Sequence, residues 1–151
     1  MVKNDDHVRD PDGIPNRILW RYWLPVIVWT LLIFIASSLQ FHYDPDSRSF
    51  EEDYGKFTDF KDSNFWFHLG EFGIFTLLLF FALKYGTKNW SFDPALSAVG
   101  IGFIHSVFDE IHQYFVPTRS CSIGDVIFDF FGIILGVILA ILIDRLWVGK
   151  R

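Results

Sequence analysis

Apolar residues fall into four blocks along the chain, and the polar positions inside those blocks carry as much information as the blocks themselves. From Tyr22 to Leu39 there are 18 residues without a charge, bracketed by Arg21 and by Trp20 and Trp23. That is about the length a bilayer core requires, with aromatic rings where the headgroups begin. It predicts a first transmembrane helix over 22–39. Three further spans are predicted at about 65–83, 95–116 and 123–147. The uncharged cores of two of them, Phe72 to Leu83 and Phe130 to Ile143, are 12 and 14 residues, lengths that also suit buried helices of a soluble bundle. The first block, the Trp and Tyr flanks and the unbroken run Ile133 to Ile143 call for a more apolar solvent than a small soluble core. The expected fold is all-α: a polytopic membrane helix bundle with four transmembrane helices. A cleaved signal peptide competes for the first block, but the run is long and aromatic and its preceding tail is acidic rather than basic.

Composition agrees with this pattern. The 151 residues include 18 Phe, 6 Trp and 5 Tyr, with 51% hydrophobic residues and a mean hydropathy of +0.28. One cysteine, Cys121, excludes an intramolecular disulfide and a cysteine-built zinc site. A net charge of −5 without a basic block excludes a nucleic-acid partner, which needs a cationic face for phosphates. The organisation expected is a polar tail over 1–19, a single transmembrane domain over 20–148, and one long acidic loop over 40–64.

Lys and Arg set the orientation. Nine lie before span one, between spans two and three, or after span four, and four (Arg48, Lys56, Lys61 and Arg119) lie on the other side. This positive-inside bias places both termini in the cytoplasm and the loop over 40–64 outside. At 1.5 Å per residue, Glu71, Asp109 and Asp129 then share a layer roughly 10 Å below the outer interface, with Ser37 and Ser38 near that level and Arg119 and Asp125 nearer the rim.

Helical spacing turns these residues inward. His105, Asp109, His112, Gln113 and Val116 share one face of span three, with Glu110 about 100° from Asp109, so the two carboxylates cannot both avoid the bundle. Asp125 and Asp129 share a face of span four with Gly132 and Gly136, small residues that admit a neighbouring helix. His68 and Glu71 are neighbours at i and i+3 in span two. Five carboxylates thus meet the histidines and only one permanent cation, Arg119. Each unpaired buried ion costs several kcal/mol, which makes such a group a functional candidate by default.

The segment Asp109-Glu110-Ile111-His112-Gln113, then Phe115-Val116-Pro117-x-Arg119, then Asp125 and Asp129 with Gly132 and Gly136, resembles the VanZ-like family of bacterial membrane proteins. Ser37-Ser38 after an apolar helix and His68-x-x-Glu71-Phe72 opening the next fit the same pattern, over roughly residues 20 to 143. Thr118 stands where Gly is usual, and His105 where an aromatic residue is common. The resemblance implies a small multi-pass protein of the bacterial cytoplasmic membrane working in the cell envelope. The family's namesake is linked to resistance to the glycopeptide teicoplanin, and no reaction is implied.

Three readings of the cluster stay open. In the first, a metal-dependent membrane hydrolase or transferase acts on lipid head groups: His68, Glu71, Asp109, His112, Asp125 and Asp129 are candidate ligands of a divalent metal, and Glu71, Asp109, Glu110, His112, Asp125 and Asp129 are candidate catalytic groups. In the second, a binding module uses Arg119, with Gln113, Ser37 and Ser38, to hold an anionic ligand or lipid-linked cell-wall precursor, since the guanidinium fork fits oxyanions. Four helices make a thin transporter, so that version calls for a homo-oligomer, such as a homodimer, or for a partner protein. In the third, the polar groups only knit the helices together. A Ser-His-Asp triad through Ser37 or Ser38 and His68 lacks any sign of an oxyanion hole.

Overall fold

The structure is a computed structural model that describes residues 16–39, 63–88, 90–117 and 123–147. The loop over 40–62, Arg119 and Cys121 lie outside the described residues. Four helices account for nearly all of what is described: α1 (Asn16–Ser38), α2 (Ser63–Tyr85), α3 (Pro94–Phe115) and α4 (Ile123–Trp147). There is no strand among the described residues, so the chain is all-α.

Three of the four helices, α1, α2 and α4, are long and apolar enough to cross a membrane. α3 has a comparable length, 22 residues, but its buried positions include Ser106, Asp109, Glu110 and Gln113, which dilute its apolar content. Its start is set locally. Asp93 caps the helix by accepting from the Leu96 N–H at 2.8 Å, and Pro94 occupies the first turn, where a missing N–H does no harm.

The helices alternate in direction, and α2 is the one the others assemble on, packing against α1, α3 and most extensively α4. The α2–α4 seam is close because it is made of glycines. A Cβ on Gly136 would stand 2.2 Å from the Gly73 carbonyl oxygen, and one on Gly132 would stand 2.5 Å from that of Leu69. The backbone that Gly132 and Gly136 were expected to admit is therefore that of α2. Phe72, Phe75, Leu79, Leu83, Ile133 and Ile33 fill the buried core. The outward faces are aliphatic and aromatic: Leu24, Ile27, Leu31 and Ile35 of α1, Ile104 and Phe108 of α3, and Leu135, Ile138 and Leu142 of α4 are all exposed. An aqueous protein would not leave so large a continuous apolar surface uncovered.

The two ends of the bundle differ. At one end Lys84 and Tyr85 of α2 both donate to the Asp144 carboxylate of α4, and Trp23 of α1 donates to the Gly86 carbonyl at 2.9 Å. A cleft there is lined by Lys84, Asp93, Asp144 and Arg145. The opposite end, where α1 and α3 finish and α2 and α4 begin, holds the buried polar groups.

Candidate functional site

Two hydrogen-bonded groups occupy that end. The first joins α2, α3 and α4. His68 Nδ1 lies 2.8 Å from Asp129 Oδ1, and Ser106 Oγ donates to Asp129 Oδ2 at 2.6 Å. Asp129 is fully buried, with each of its oxygens engaged by a different helix. With Asp129 ionised, the proton on the first bond rests on Nδ1, which fixes the imidazole ring and directs Nε2 elsewhere. Nε2 stands 3.8 Å from Asp125 Oδ2, one turn closer to the end of α4. Glu110 of α3 is buried beside this pair, and one ligand-type atom each of His68, Glu110 and Asp129 lie within 4.8 Å of one another.

The second group joins α1 to α3. Ser37 Oγ donates to Asp109 Oδ1 at 2.5 Å, and Gln113 Nε2 donates to Asp109 Oδ2 at 2.8 Å. One position further along, Ser38 Oγ donates to the Phe34 carbonyl at 2.7 Å and lies 3.0 Å from His112 Nε2. Phe34 stacks on the His112 ring at 4.5 Å and holds it there.

The candidates named from the sequence are thus divided between two layers. His68, Glu110, Asp125 and Asp129 come together around α2 and α4, whereas Asp109, His112, Gln113, Ser37 and Ser38 come together around α1. Of the six candidate metal ligands, the structure gathers His68, Asp125 and Asp129, brings Glu110 to them, and turns Asp109 and His112 toward the α1 serines. Glu71 is half-buried, and its backbone carbonyl accepts from Trp29 Nε1 at 2.9 Å. His105 packs against the rings of Phe72 and Phe75, and its Nδ1 finds no hydrogen bond among the described residues. Arg119 lies outside the described residues.

Ser106 is a member that sequence reasoning missed. The signal was present: Ala98, Gly102, Ser106, Glu110 and Gln113 recur at i+4 or i+3 and are all buried, so the small and polar stripe of α3 runs through Ser106 rather than through His105.

Buried charge is the dominant electrostatic feature. Among the described residues the Lys and Arg positions, Arg17, Arg21, Lys84, Lys88 and Arg145, all fall toward the other end of the bundle. Asp125 and Asp129 both stand within ion-pair distance of the His68 imidazole, and Glu110 is buried beside them. Buried carboxylates in apolar surroundings require a proton, a cation or water to be tolerable.

A small helical membrane protein with a buried His and carboxylate centre at one end is the class that fold and site define. The family model described as VanZ/LLP1 matches residues 22–144, most of the sequence, and the chain belongs to that family. No curated protein matches it, and no solved structure does.

Proposed function

We propose that this VanZ-like membrane protein serves the bacterial cell envelope from the outer half of the cytoplasmic membrane, binding the anionic head group of a lipid-linked ligand at its polar end. Both termini lie in the cytoplasm in this reading, because nine of the 13 Lys and Arg residues fall on the side that holds them. The carrying observation is the convergence of buried Ser37, His68, Asp109, Glu110, Gln113 and Asp129 at the one end of the bundle where α1 and α3 finish. Polar groups needed only for packing would suffice at a lower number, since an interhelical bond of this kind contributes about 0.6 to 2 kcal/mol. Arg119, close beyond α3 in the sequence, supplies the oxyanion contact. A cell-wall precursor is the ligand class favoured, and the link to teicoplanin extends the proposal to glycopeptide susceptibility.

Binding of undecaprenyl phosphate to the purified full chain in nanodiscs tests this. The wild type should bind, and Arg119→Glu should weaken binding at least about tenfold, the loss of a charge-assisted contact. In cells, the wild type should raise the teicoplanin concentration that stops growth, and Arg119→Glu should not. Equal binding by both proteins would count against the proposal.

A second reading has its own observations. Ser37 to Asp109 and Ser106 to Asp129 each tie two helices, and a knitting role would lower stability in variants without touching head-group binding.

A further inference from the structure

A cleft of about 270 Å³ opens at the end of the bundle opposite the buried cluster, where α2 and α4 finish and α3 begins. Phe80 and Ile141 form its apolar wall, and Lys84, Asp93, Asp144 and Arg145 its charged lining. Two of those charges answer each other, since Lys84 and Tyr85 donate to the two oxygens of Asp144. The other two do not. Asp93 gives its Oδ1 to the Leu96 N–H as the cap of α3, and neither Asp93 nor Arg145 forms an ion pair among the described residues. One carboxylate and one guanidinium thus line the same cleft without pairing with each other.

The depth of the cleft says what can fill it. Tyr22 and Trp23 of α1, Tyr85 of α2 and Trp90 all lie at this end, with the Trp23 indole bonded to the Gly86 carbonyl and the Tyr22 and Tyr85 rings 5.9 Å apart. A belt of Trp and Tyr marks the level of the lipid head groups. Phe92 and Leu96, exposed on either side of Asp93, carry the apolar surface up to that level. A lipid whose chains lie on this surface has its head group beside the cleft.

We propose that the cleft binds the head group of an ethanolamine phospholipid, with the phosphate on Arg145 and the ammonium on Asp93. The guanidinium fork fits phosphate oxygens, and a primary ammonium can donate to the Asp93 oxygen that the cap leaves unused. The volume equals that of roughly nine waters, and a phosphoethanolamine group has about that many non-hydrogen atoms. A glycerol head group brings Asp93 no cation, and a choline head group brings it no N–H. The site holds whichever way the chain is inserted, and does not depend on the head-group reading of the opposite end.

The test uses the full chain, delipidated in mild detergent and given phosphatidylethanolamine, phosphatidylglycerol or phosphatidylcholine with the same acyl chains. Lipid retention is read by native mass spectrometry and by the shift in unfolding temperature. The wild type should retain one phosphatidylethanolamine per chain at least about tenfold more tightly than the other two, the worth of a charge-assisted hydrogen bond. Arg145→Gln should weaken that binding at least about tenfold. Asp93→Ser, which removes the charge but keeps a capping oxygen, should weaken phosphatidylethanolamine and leave phosphatidylglycerol unchanged. Arg21→Gln, a cation of the same end that does not line the cleft, should behave as the wild type. Equal retention of the three lipids by the wild type overturns the site, as does Arg145→Gln binding no more weakly than Arg21→Gln. Should a variant fail to fold, the comparison of lipids on the wild type decides alone. Arg145→Gln should leave undecaprenyl phosphate binding intact, so this site and the one at the opposite end can fail separately.

Discussion

Asp109 shows how a single carboxylate is made tolerable inside the bundle: one oxygen takes the Ser37 hydroxyl of α1 and the other the Gln113 amide of its own helix. α1 packs on α3 much less than α2 does, so the Ser37 bond is a large part of what joins them. Replacing Ser37 with Ala should lower stability by about 0.6 to 2 kcal/mol, the range for interhelical hydrogen bonds in membranes, measured by SDS unfolding of the purified protein. No change would mean that the bond is exchanged for an equivalent one in the unfolded state. Residues such as Asp109, Glu110 and Asp129 were legible as inward-facing because a carboxylate at membrane depth has nowhere else to go. Their partners were not. Helical spacing says which residues share a face, but the rotation of α3 decides that Asp109 meets α1 while Glu110 meets His68, and that rotation depends on packing against three neighbours at once.

At the scale of elements, the seam between α2 and α4 is the tightest feature of the fold. The Cβ of an Ala at Gly136 would fall 2.2 Å from a backbone carbonyl, which cannot swing aside as a side chain can, so the helices would have to separate. Gly136→Ala should therefore cost about 1 to 3 kcal/mol, as overpacking does. Gly100, exposed on α3 with nothing within 4 Å of a Cβ, gives the contrast: Gly100→Ala should be neutral or stabilise by up to about 1 kcal/mol through the helix propensity of Ala. Equal effects at both positions, read by SDS unfolding, would contradict close packing of the seam. The four helices themselves were legible from block length and flanking aromatics, and Gly132 and Gly136 from their shared face with Asp125 and Asp129. α3 differs from the other three helices in that its buried face is polar and its outward face carries the hydrophobic signal.

Over the whole molecule, the bundle is asymmetric along its length. One end is closed by the Lys84, Tyr85 and Asp144 contacts between α2 and α4, and the other gathers His68, Glu110, Asp125 and Asp129. The proposed role requires the second end to face outward, and the chain carries its own reporter. Cys121, its one cysteine, falls in the sequence between the last residue of α3 and the first of α4, the two helix ends that carry the cluster. The decisive measurement is labelling of Cys121 in intact cells with a membrane-impermeant maleimide, with permeabilised cells as the reference and Cys121→Ser as the blank. Labelling of intact cells at the level of permeabilised ones is the predicted result; labelling that appears only after permeabilisation would place the polar end in the cytoplasm and contradict the account.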